Sequence, residues 1–90
     1  MIATQIGNIG SEITRARVWQ EKGDSISRDK ALERALGLID AALSNQSRPA
    51  CQRELVRLRE FVMTIARDYS LLNQLENYCL PFALLARKNV

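Results

Sequence analysis

A chain of 90 residues with 47% apolar and 26% charged side chains has the make-up of one small globular domain, neither a disordered tail nor a fibre. No apolar run approaches the ~18 residues of a membrane span, and no basic-then-apolar leader opens the sequence, so a cytoplasmic protein is expected. Thirteen basic residues interleave with ten acidic ones to leave a net charge of +3, which alone does not mark a nucleic-acid protein, and the lack of histidine removes the usual general base and the commonest metal ligand.

The first predicted helix runs over residues 3–22. Ile2, Ile6, Ile9, Ile13 and Ala16 recur at steps of three and four and so share one face. Gly7 and Gly10 interrupt it, each weakening the helix by roughly 1 kcal/mol relative to alanine. Gly23 is suited to the left-handed conformation just past a helix end.

Asp24, Ser25 and Ser27 then offer N-cap side chains for a second helix that ends near Ser44. Its apolar set is broad, from Ala31, Leu32, Ala35 and Leu36 to Leu38, Ile39, Ala42 and Leu43. Only Glu33, Arg34, Gly37 and Asp40 are left to face water, a pattern that predicts more than one packing neighbour. Asn45 to Arg48 read as a polar loop, and Pro49 fits the first turn of a third helix, where its missing N–H costs nothing.

That third helix has the most regular spacing: Cys51, Leu55, Leu58, Val62, Ile65 and Tyr69, with Val56, Phe61 and Met63 widening the stripe. Its polar face carries Arg53, Arg57, Glu60, Thr64 and Arg67, and Glu54 is spaced to pair with Arg57. A break near Ser70 is preferred to one long rod, because a rod would leave too much apolar surface uncovered. The last helix carries Leu71, Leu72, Leu75, Tyr78, Cys79, Phe82 and Leu85; Pro81 should kink or restart it, and Arg87 and Lys88 suit its C-terminus. No strand pattern is present. The expected fold is therefore all-α, an antiparallel four-helix bundle spanning residues 1–90, with the fourth helix kinked at proline.

Few motifs point to chemistry. Ile6-Gly7-Asn8-Ile9-Gly10-Ser11-Glu12-Ile13 matches the I-G-x-x-G-x-x-I pattern of KH domains, but no strand flanks it, and the glycines read instead as sites where a neighbouring helix packs closely. Cys51 sits in the first turn of the third helix, where a thiol pKa can fall, yet it also occupies a core position. Cys51 and Cys79 are expected to stay reduced and unbonded, because antiparallel packing around Ser70 places residue 79 opposite residue 61 or so. Asp29 and Glu33 form an i,i+4 carboxylate pair on an exposed face rather than in a pocket.

Two resemblances remain. The stretches Gly10–Ala16, Glu33–Asp40 and Arg53–Glu60 resemble small uncharacterised bacterial helical proteins, which imply no activity. Glu21-Lys22-Gly23-Asp24, then Leu38-Ile39-Asp40, then Glu54-Leu55-Val56-Arg57-Leu58 resemble, in helix order, the flagellar export chaperone FliS, an antiparallel bundle that wraps a protein partner without catalysis. No binding residue of that family maps onto this chain.

The expected function is a non-enzymatic helical protein-interaction module, acting as chaperone, adaptor or homo-oligomer. No catalytic residue, cofactor or metal site is expected. Val56, Phe61 and Met63 are the candidate partner-binding residues, although Val56 and Met63 also fit contact with the fourth helix. The alternative is a nucleic-acid-binding module using Arg53, Arg57 and Arg67, with Arg87 and Lys88 contributing.

Overall fold

In the computed structural model, which describes residues 2–45 and 48–88, four helices form an all-α bundle: α1 (Ile2–Glu21), α2 (Ser25–Asn45), α3 (Pro49–Ile65) and α4 (Leu72–Lys88), with a short 3₁₀ turn at Tyr69–Leu71. Consecutive helices run antiparallel. Arg34 of α2 meets Glu12 and Arg28 meets Gln20, so the partner number falls as the number along α1 rises. Asp40 meets Arg59 and Asp29 meets Tyr69, which reverses α3 against α2. The molecule measures 38 × 25 × 18 Å.

The turn between α1 and α2 is fixed by local chemistry. Gly23 adopts a positive φ of 78°. Its N–H donates to the Gln20 carbonyl at 3.1 Å, while the Asp24 N–H donates to the Trp19 carbonyl at 2.9 Å. These two bonds satisfy carbonyls that the helix end would otherwise leave open, the Schellman arrangement. Asp24 also caps α2, its carboxylate accepting from the Ser27 N–H and the Ser27 hydroxyl, both at 2.9 Å. Those two donors, the backbone one first, hold the Asp24 carboxyl below the usual carboxylate range.

The core joins the stripes of all four helices. Ile6, Ile9, Ile13 and Ala16 of α1 meet Ala31, Leu32, Ala35, Ile39 and Ala42 of α2, Leu55, Leu58, Val62 and Ile65 of α3, and Leu72, Leu75 and Cys79 of α4. Packing is closest where side chains are small: α1 lies along both α2 and α4, whereas α3 approaches α2 less closely and α4 only sparsely. Gly10 shows why. A Cβ built there would sit 2.8 Å from the Cβ of Cys79, so only hydrogen fits between α1 and α4 at that level. The KH-like stretch accordingly lies within one continuous helix and not in a loop.

Two sequence expectations change. The third helix stops at Ile65, so Tyr69 does not continue its stripe and Arg67 lies beyond the helix, in the turn before the 3₁₀ segment. The cap there is Asp68, which accepts from the Ser70 N–H at 3.1 Å and the Ser70 hydroxyl at 2.6 Å; Ser70 donates rather than caps. Those bonds, the hydroxyl's first, lower the Asp68 pKa. The fourth helix runs without interruption through Pro81. Loop residues 46 and 47, and the side chains of Ile2, Phe82, Leu85, Arg87 and Lys88, lie outside the described residues.

Candidate functional site

Several charged side chains brace the bundle. Glu12 is buried on α1 and bonds to Arg15 at 2.6 Å and to Arg34 of α2 at 2.8 Å. Arg17 of α1 donates from Nε to both carboxylate oxygens of Glu76 on α4, each at 2.9 Å, and from a terminal nitrogen to Glu21 at 2.8 Å. Glu76 first, and then Glu21, hold the Arg17 pKa above its ordinary value. Arg59 of α3 reaches Asp40 of α2 at 3.0 Å.

A second brace closes one end of the molecule. Arg28, near the start of α2, lies 3.5 Å over the Tyr69 ring, a cation–π distance, and donates to Gln20 of α1 and to Asp29. The Tyr69 hydroxyl donates to the same Asp29 carboxylate at 3.1 Å. Arg28, and to a lesser degree Tyr69, keep the Asp29 carboxyl below its ordinary pKa. Asp29 is thus part of a strut that holds the 3₁₀ turn on α2, and the expected pairing with Glu33 plays no part in it.

The cysteines stay apart. Both thiols are free; Cys51 is half-buried, while Cys79 is fully buried against Gly10 and burial pushes its pKa up to about 12. A thiol so far from ionisation is a packing group, not a nucleophile.

Against this braced background the outer face of α3 stands out. Val56 and Met63, two turns apart on one helix side, expose 43% and 46% of their surface. Arg53, Arg57 and Glu60 are exposed beside them, and no ion pair joins these three, or joins Glu54 to Arg57, among the described residues. Pro49, Gln52, Arg53, Val56, Arg57 and Glu60 line a shallow depression along this face. The arrangement offers an apolar strip beside uncommitted charges, the pattern a docking helix can use.

Phe61 is not part of that strip. It is half-buried, packs on the core and lies 6.5 Å from the Tyr78 ring of α4, tilted by 46°. Of the three candidate arginines, Arg53 and Arg57 share the face with Glu60, whereas Arg67 stands past the helix end. The pairs that bridge helices, Glu12 with Arg34, Arg17 with Glu76 and Asp40 with Arg59, escaped sequence reasoning because their partners sit on different helices.

A second concavity, about 220 Å³, opens between α1 and α4 beside Gly7, Gly10, Ser11 and Thr14, with Leu80 52% exposed at its edge. Its acidic member, Glu76, is already held by Arg17. No helix among the described residues is long and apolar enough to cross a membrane.

Compared with protein-family models, curated proteins and solved structures, the chain matches none.

Proposed function

We propose that this protein is a non-enzymatic helical interaction module whose docking surface is the outer face of α3. The carrying observation is that Val56 and Met63 stay about half exposed on one helix side while the adjacent Arg53, Arg57 and Glu60 are left out of the bracing network. A non-catalytic reading is supported by where the acidic groups are spent: Glu12, Asp40 and Glu76 bridge helices, and Asp24 and Asp68 cap them. An adaptor or chaperone role, as the likeness to FliS in helix order implies, needs such a face on a rigid support.

The test compares two classes of substitution. Val56→Ala with Met63→Ala removes side chains that are about half exposed and outside the core, so unfolding free energy should move by no more than about 1 kcal/mol per site. Phe61→Ala should cost about 2–3 kcal/mol, short of a fully buried phenylalanine. Association, with itself or with another protein, should fall only in the Val56/Met63 variant. If that variant instead loses stability as a core variant does, the face is part of the fold and the reading fails.

Nucleic acid is the second reading, carried by Arg53 and Arg57, which have no ion-pair partner among the described residues. Glu60 beside them weakens it. Binding to mixed-sequence nucleic acid that falls steeply with added salt would favour it over a protein partner.

A further inference from the structure

We propose that the outer seam between α1 and α2 binds a single-stranded nucleic acid, at a surface separate from the α3 face and independent of its role. The inference starts from where the charges of these two helices fall. Glu12 with Arg34 and Gln20 with Arg28 fix the register of the antiparallel pair. Arg15, Trp19 and Lys22 follow one another at steps of four and three from α1 into its closing turn, and Ile26, Lys30 and Arg34 at steps of four along α2, so two lines of side chains border the same seam. Arg15 and Arg34 are held there by one carboxylate, that of Glu12, whose side chain is only 10% exposed beneath them. Lys22 stands over the half-buried Trp19 ring at 5.2 Å. Neither Lys22 nor Lys30 joins an ion pair among the described residues.

The other carboxylates of α1 and α2 are turned away from the seam. Glu21 is held by Arg17, which also grips Glu76 of α4. Asp24 is folded back as the cap of α2. Asp29 and Asp40 meet Tyr69 and Arg59 on the α3 side of α2, and helical spacing puts Glu33 on that same side. Four cations thus border the seam over a single buried carboxylate, which suits a partner with repeated negative charges. At its other end the seam offers amides. Gln5, Asn8 and Asn45 line a depression of about 160 Å³, and the side-chain oxygen of Gln5 is buried without a hydrogen-bond partner among the described residues. Phosphates fit the cations, and base edges, which carry both donors and acceptors, fit the carboxamides. Trp19 and Ile26, the latter 69% exposed, add an aromatic and an apolar surface among the cations. Base faces are free to cover such surfaces in a single strand, whereas a duplex keeps them stacked. From Gln5 to Lys22 the seam runs about 25 Å, enough for a few nucleotides.

The experiment titrates the full chain into a labelled, mixed-sequence single strand of about 12 nucleotides at roughly 20 mM salt. Anisotropy reads affinity, and the emission of Trp19, the one tryptophan of the chain, reads location. Binding should shift that emission and weaken with salt at a log–log slope of about −2 to −3, as three or four phosphate contacts on a single strand require. Lys22→Glu and Lys30→Glu, both at exposed sites, should each weaken binding roughly tenfold. Arg53→Glu/Arg57→Glu on α3 should leave it unchanged, which separates this seam from the arginines of the α3 face. Far-UV circular dichroism checks that every variant folds. No binding at about 500 µM protein overturns the proposal. Binding that survives both lysine reversals, that disappears with the α3 arginines, or that leaves Trp19 emission unmoved also overturns it. So does tighter binding to a duplex of the same sequence or to phosphatidylserine vesicles, because charge alone is then recognised. The α3 docking face is judged separately, by Val56→Ala/Met63→Ala and protein association.

Discussion

Adding one methyl group at Gly10 and one at Gly37 separates helix propensity from helix packing. Both glycines lie inside helices, so in an isolated helix each alanine would stabilise by about 1 kcal/mol. At Gly37 nothing stands within 4 Å of the new Cβ, and Gly37→Ala should realise most of that gain. At Gly10 the Cβ arrives 2.8 Å from the Cβ of Cys79, roughly 1 Å inside a comfortable carbon–carbon separation. That atom is fixed to the α4 backbone and cannot rotate away, so α1 and α4 must part. Overpacking of this kind costs about 1–3 kcal/mol. Gly10→Ala should therefore be less stable than Gly37→Ala by about that margin, and between neutral and about 2 kcal/mol worse than wild type. Urea unfolding followed by far-UV circular dichroism, with the slopes compared, reads the difference. Cys79→Gly removes the obstructing atom, so Gly10→Ala on that background should become stabilising, a non-additivity that independent sites would not show. Equal stabilisation by Gly10→Ala and Gly37→Ala in the wild-type background would refute the close approach of α1 and α4.

Other expectations are simpler to check. Glu12→Gln should cost about 1–3 kcal/mol by urea unfolding, because a buried carboxylate that serves two arginines loses its charge-assisted bonds while Arg34 keeps its place. Cys79 gives a pH signature: its thiol ionises near pH 9 when unfolded but near 12 when buried. The folded state then holds the proton while the unfolded state releases it, so stability is full below pH 9 and declines above it, by at most about 1.4 kcal/mol per pH unit. Cys79→Ala should flatten that decline; an unchanged slope would place its origin elsewhere. In native protein at pH 8 a thiol reagent should modify Cys51 well before Cys79, and simultaneous reaction of both would contradict the burial of Cys79. Acid unfolding should move to higher pH in Asp24→Ala, since a carboxylate held below its ordinary pKa contributes stability that is lost only as pH falls through the lowered value.

Periodic apolar side chains were enough to locate the helices and their buried faces. Ile6, Ile9, Ile13 and Ala16, and likewise Leu55, Leu58, Val62 and Ile65, lie in the core where their spacing puts them. The stop after α1 was legible because Gly23 is suited to the positive φ that it adopts. The stop after α3 was harder to read: no glycine marks it, and it depends on Asp68 bonding its own neighbour Ser70, a local choice that competes with helix at many aspartates. Missing it carried Tyr69 and Arg67 onto a helix that had already ended. Leu38 was grouped with the core although it is partly exposed, because a broad apolar arc does not say which edge its neighbours cover. On the α3 face, helical spacing sets Val56 and Met63 apart from the main stripe and places Phe61 on its opposite edge, nearer the centre, but grouping all three as one partner-binding set obscured that difference. The Phe61 ring packs on the core and beside Tyr78 of α4. Pairs such as Glu12 with Arg34, or Gly10 with Cys79, are products of the bundle's topology, and no local pattern announces them.

The central claim, that the outer face of α3 is where this chain docks, is tested most directly by amide chemical shifts recorded across a dilution series of the full protein. Shifts that move with concentration at residues 53–63, strongest around Val56, Arg57, Glu60 and Met63, and that stop moving in Val56→Ala/Met63→Ala, are the predicted result. Concentration-dependent shifts gathered instead around Leu80 and the α1–α4 concavity would contradict it.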